Sequence, residues 1–167
     1  MNPETSTETL AARILEDAEL IGELLALVPP GREQWAPPGT DAFALDRLAA
    51  HIVESFAGVC ACLHKLYPER LAHFNALAAR TANLTTLSPA AAAALLADCR
   101  AAAAEGFALV TDADLPRRLH TVFSPEGQPF AGVLMVNWKH VLHHGFQLFF
   151  YLKLLGVPVS TRHLYRF

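Results

Sequence analysis

A chain of 167 residues with 53% hydrophobic and only 17% charged residues can bury a sizeable core and still leave apolar surface. It reads as one domain over residues 1–167 that pairs as a homodimer. A net charge of −3 without a lysine/arginine block excludes nucleic acid as the main ligand. The opening stretch "MNPETSTETLAARILEDAEL" has no basic n-region and no apolar h-region, so no signal peptide is expected. No run approaches about twenty apolar residues, so no membrane span is expected. Three cysteines, Cys60, Cys62 and Cys99, without framework spacing predict reduced thiols in a cytoplasm, none of them a metal ligand.

The first predicted helix covers residues 7–28, where Leu10, Ile14, Ile21, Leu24, Leu25 and Val28 recur at helical spacing. "PPG" at 29–31 stops it. A loop containing "APPGT" leads to a second helix, capped by Thr40 or Asp41 and running to about 66. "YPER" interrupts it, and "LAHFNALAARTANL" forms a helical extension. The third long helix begins at Ser88 as N-cap with Pro89 in the first turn, followed by an alanine run. Residues 111–128 read as loop, with "RRLHTVF" a short extended piece at most. The fourth long helix spans 129–155 and ends at Gly156, with Pro158 beyond. No internal repeat or alternating strand pattern occurs, so the fold class is all-α, a four-helix bundle.

The last of these helices carries the chemistry. Within "NWKHVLHHGFQLFFYLKLLG", a seam at steps of three and four reads Val133, Asn137, His140, His144, Gln147, Tyr151 and Leu154. Its apolar ends enclose a polar strip, and burying each unpaired group there costs about 1–3 kcal/mol. Such a strip is better read as the wall of a site than as packing. His140 and His144 are four apart and project from one side of the helix, a spacing that presents two nitrogens to one metal ion. A third ligand comes from the second helix, where His51 shares a seam with Ser55, Val59, Cys62 and Leu66. His64 lies thirteen positions further on and points nearly opposite. The expected metal ligands are therefore His51, His140 and His144. Three neutral imidazoles leave coordination positions open, as in catalytic sites, and suit a divalent transition metal. Imidazole suits zinc, nickel, copper or iron, and the pattern itself does not pick among them; zinc or nickel is the expected ion, with iron or copper as alternatives. Glu54, one turn beyond His51, is read as an exposed glutamate outside the site, and His143 as a surface histidine. The absence of a Glu-x-x-His pair disfavours a di-iron carboxylate enzyme.

The block "HVLHHGFQLFFYLKLLGVPV" resembles the last helix of the DinB/YfiT superfamily of four-helix-bundle proteins, and "DAFALDRLAAHIVES" resembles the start of its second helix. With the spacing between the two blocks, the resemblance covers most of the chain. It implies metal ligation by His51, His140 and His144, with Gln147 matching the family's glutamine. Gly145-Phe146 stands where the family carries Arg-Gly, so an arginine able to meet an anion is missing from that place. The C-terminal "STRHLYRF" also departs from the family pattern. Members include thiol-dependent transferases and isomerases and metal-dependent hydrolases. The resemblance thus implies a metal-dependent hydrolase or thiol-dependent transferase acting on a small molecule. The alternative is a non-catalytic metal-binding or structural stress-response dimer.

Overall fold

The computed structural model describes residues 6–121 and 124–166. The chain is mostly helical, with one small two-stranded sheet. The helices are α1 (Thr7–Ala26), α2 (Leu45–Leu66), α3 (Phe74–Thr81), α4 (Pro89–Phe107) and α5 (Phe130–Leu154). The strands are β1 (Arg118–Thr121) and β2 (Ser124–Pro129). No helix among the described residues is long and apolar enough to cross a membrane.

The four long helices pack as a closed ring in the order α1, α4, α2, α5, with α3 laid against α2. Side-chain contacts fix their directions. Asp17 and Ile21 meet Trp138 and Gly145, so α1 and α5 run the same way. Cys60 and Leu63 meet Cys99 and Gly106, so α2 and α4 run the same way. Cys62 meets Asn137 while His51, further back along α2, meets His140, so α2 and α5 are antiparallel. One continuous core of buried Leu, Ile, Val, Phe and Cys side chains fills the ring, with Phe56 and Phe130 among its largest members.

Local chemistry explains the helix boundaries. Ser6 accepts from the Thr9 amide at the start of α1, and Ser88 accepts from the Ala91 amide at the start of α4, with Pro89 in the first turn as expected. Helix α2 departs from expectation: it begins at Leu45, after Ala44, with no side-chain cap. Thr40 is engaged elsewhere, donating to the Pro37 carbonyl and accepting from the Ala42 amide. The free amides of α2 are met by loop carbonyls instead, Leu45 by Trp35 and Asp46 by Glu33. The buried Asp46 carboxylate accepts from Gln34, which ties the loop to the helix start. At the other end of the chain, Leu155 closes α5 and Gly156 follows with φ of 78°, the left-handed conformation that glycine takes without a Cβ clash.

The hairpin corrects the reading of 111–128 as loop. A 3-10 turn at Asp112–Asp114 is followed by β1 and β2, which pair antiparallel with a bulge between Leu119 and Thr121. Of the expected extended piece "RRLHTVF", Val122 and Phe123 lie outside the described residues.

Candidate metal centre

Position on α5 decides what each of its residues can do. Its core-facing stripe is Leu134, Val141, Gly145, Leu148 and Leu152, all buried. The polar strip Asn137, His140, His144 and Gln147 lies one residue back from this stripe, about 100° around the helix. It therefore faces the flank against α2 rather than the centre of the ring. Val133 and Tyr151 on that seam are buried, but Leu154 is 65% exposed, because a 3.6-residue helix drifts away from a seven-residue repeat. The desolvation penalty inferred from sequence is correspondingly smaller: His140 is exposed, and His51 and His144 are half-buried.

The three expected ligands come together on this flank. His140 Nε2 lies 3.1 Å from His51 Nε2 and 3.0 Å from His144 Nε2. One potential ligand atom from each lies within 4.8 Å of the others, so the group could hold a metal ion. The donor chemistry fits a cation. The carbonyl of Phe43 can only accept, so the Tyr151 hydroxyl donates to it at 3.0 Å. Tyr151 then accepts from Gln147 Nε2 at 2.9 Å, which turns Gln147 Oε1 toward His144. His144 Nδ1 must therefore donate to that oxygen, at 3.1 Å, leaving the neutral ring's lone pair on Nε2 and aimed into the cluster. A single nitrogen, His140 Nε2, faces two others and can hold only one proton or one lone pair. A zinc ion with nitrogen ligands at about 2.0–2.1 Å would hold pairs of them about 3.3 Å apart in tetrahedral geometry, close to the spacing observed.

Although His140 as a whole is exposed, partial desolvation of its ring against its neighbours, followed by the nearby His51 and His143, lowers its pKa below the ordinary histidine value. Burial also lowers His144, with His51, His140 and His143 adding to it and the Gln147 hydrogen bond opposing it. Both rings are thus favoured in the neutral form that ligates metals. The Glu54 carboxylate stands 3.6 Å from His51 Nδ1, beyond a direct hydrogen bond. The Phe43 ring meets His51 edge-on at 5.5 Å, and the Arg47 guanidinium lies 4.2 Å from the centre of that ring.

The remaining polar residues separate cleanly. Asn137 donates to the Val133 carbonyl at 2.9 Å and to Cys62 Sγ at 3.7 Å. Cys62 is buried, and burial pushes its thiol up to about 11 against the influence of Lys65, so it stays protonated at neutral pH. Cys60 and Cys99 are also free and buried. His143 is exposed. His64 is not part of the cluster; it lines a groove of about 230 Å³ between α2 and α3. His73 meets Glu105, His120 donates to the Pro125 carbonyl, and His163 closes the 3-10 turn after Ser160. The sequence reading missed Phe43 and Arg47. Arg47 precedes His51 by one turn, a spacing visible in the sequence, but the placement of Phe43 depends on the loop fold.

No model of a known protein family matches the chain, and no curated protein matches it.

Proposed function

We propose that the chain is a divalent-metal-binding protein with a DinB/YfiT-like four-helix bundle, whose three-histidine centre serves a metal-dependent hydrolase or a thiol-dependent transferase. The observation that carries this reading is the convergence of His51, His140 and His144 Nε2 atoms from two helices, with His144 locked in the ligating tautomer by Gln147 and Tyr151. The resemblance of the last-helix block supports the family assignment. A divalent ion held there would supply Lewis acidity toward a bound carbonyl, thiol or water. The chain's own part is to orient the rings and leave one side of the centre open. Tyr151 is buried and anchored to the Phe43 carbonyl, so the Gln147–His144 alignment rests on the backbone before α2 rather than on a flexible side chain.

The test is metal stoichiometry of wild type, His51→Ala, His144→Ala and His64→Ala purified side by side. Wild type and His64→Ala should each hold about one zinc or nickel per chain, and the two ligand variants should retain little against competing chelator. Equal content in all four, or none in wild type after reconstitution with zinc and nickel, removes the metal reading and leaves a structural dimer as the better account. Activity of the loaded protein on small esters, amides and thiol conjugates then separates enzyme from metal binder.

A further inference from the structure

Arg47 is exposed, and its guanidinium has no carboxylate or carbonyl partner among the described residues. Its place is nonetheless defined. It stands one turn before His51 on α2 and rests on the Phe43 ring, which in turn meets His51 edge-on. The two separations, 4.2 Å and 5.5 Å, put the guanidinium within about 10 Å of the His51 ring centre. Stacking on Phe43 restrains a side chain that would otherwise lose rotamer freedom on binding a ligand. The planar fork of an arginine matches a carboxylate with two parallel N–H···O bonds, and a guanidinium held over the Phe43 ring with no acceptor among the described residues has N–H groups to offer for this. The nearest acidic group of the centre, Glu54, sits on the other side of His51, seven residues along α2 from Arg47. The rim of the triad therefore has a positive end and a negative end.

We propose that Arg47 is a specificity-determining residue that takes a carboxylate at one end of a small molecule, while the histidine-held ion takes a metal-binding group at the other. This rests on the metal reading above. It narrows the ligand class to short carboxylates in which the anionic group and the metal-binding group are separated by a few bonds, at most about 10 Å. It also sets a polarity: the carboxylate lies toward Phe43 and away from Glu54, which would repel it.

The experiment compares two hydroxamates of equal carbon count on zinc-loaded protein by titration calorimetry. Butyrohydroxamate has a chelating head and a methyl tail; the monohydroxamate of succinic acid has the same head and a carboxylate tail. Wild type should bind the carboxylate-tailed probe about fivefold more tightly, the range of a solvent-facing charge pair, with the preference shrinking as salt is raised. Arg47→Met, which keeps an unbranched apolar stem over Phe43, should lose the preference while keeping zinc content and butyrohydroxamate affinity. Arg47→Lys should retain part of it. Equal affinity of wild type for both probes, or a preference that survives Arg47→Met, overturns the assignment of Arg47 alone. Failure of wild type to hold zinc overturns the metal reading and this proposal with it.

Discussion

At the scale of single residues, His144 is the group the fold controls most closely, because its ring is held by a chain of donors that ends on a backbone carbonyl. Gln147→Ala removes the link between His144 and Tyr151 and leaves the ring free to turn or change tautomer. Loss of such an outer partner typically weakens metal affinity about tenfold or more, so the variant should show that loss in zinc competition against a chromophoric chelator. Proton linkage gives a second expectation. His140 and His144 have folded pKa values below the ordinary 6.5, through desolvation first, partial at His140, and neighbouring histidines after it. The unfolded chain takes up protons near pH 6.5, whereas these two folded rings resist until lower pH. Their contribution is therefore intact above pH 6.5 and is lost as pH falls through the depressed values. Metal-free protein should melt at lower temperature at pH 5.5 than at pH 7.5, and a His140→Gln/His144→Gln double variant should lose less over the same interval. An identical drop in both would place the proton uptake elsewhere.

At the scale of elements, close helix approach depends on absent side chains. A Cβ built on Gly145 would lie 2.8 Å from both Ile21 Cγ1 and Cδ1 across the α1–α5 contact. Gly145→Ala should therefore destabilise by about 1–3 kcal/mol, since the buried Ile21 must shift in a filled core. Gly22→Ala, where nothing lies within 4 Å, should instead stabilise by about 0.5–1 kcal/mol, because alanine loses less backbone entropy in a helix. Denaturant melts of the two variants check the opposite signs. The same contrast shows what could be read from the chain. The three histidines were legible because helical spacing fixes which residues share a side, and Ser88-Pro89 was legible because capping is local. The start of α2 was not, because its amides are met by the Trp35 and Glu33 carbonyls and not by Thr40. The hairpin was not, because β2 is mostly exposed and includes proline and glycine; Arg118 donating to the Glu126 and Gly127 carbonyls and Lys65 donating to the His120 carbonyl help hold it. Those contacts arise from tertiary neighbours, and no hydrophobic alternation announces them.

At the scale of the whole molecule, the apolar composition finds its place on the outside of α5. Met135, Val136, Phe146, Phe150 and Leu154 are 44%, 64%, 36%, 60% and 65% exposed. At about 100° per residue they form a band covering roughly a quarter of the helix circumference. Scattered exposed apolar side chains are ordinary, but a band along one helix is the pattern of a subunit contact. The proposed homodimer would place two such bands together about a two-fold axis, where each copy presents the same patch. Five side chains fall short of the ~800 Å² per partner that a stable interface needs, so neighbouring surface must join them. His140 lies only about 40° around the helix from Val136, so a partner seated on the band would border the three-histidine cluster and narrow its open side. Sedimentation at micromolar concentration should show wild type as a dimer, and Phe150→Glu should shift it to an 18.2 kDa species by burying a charge at the contact. Wild type sedimenting only at 18.2 kDa would leave the band uncovered and the dimer reading without support. A Phe150→Glu protein that stays dimeric would place the contact on another face, away from the histidines.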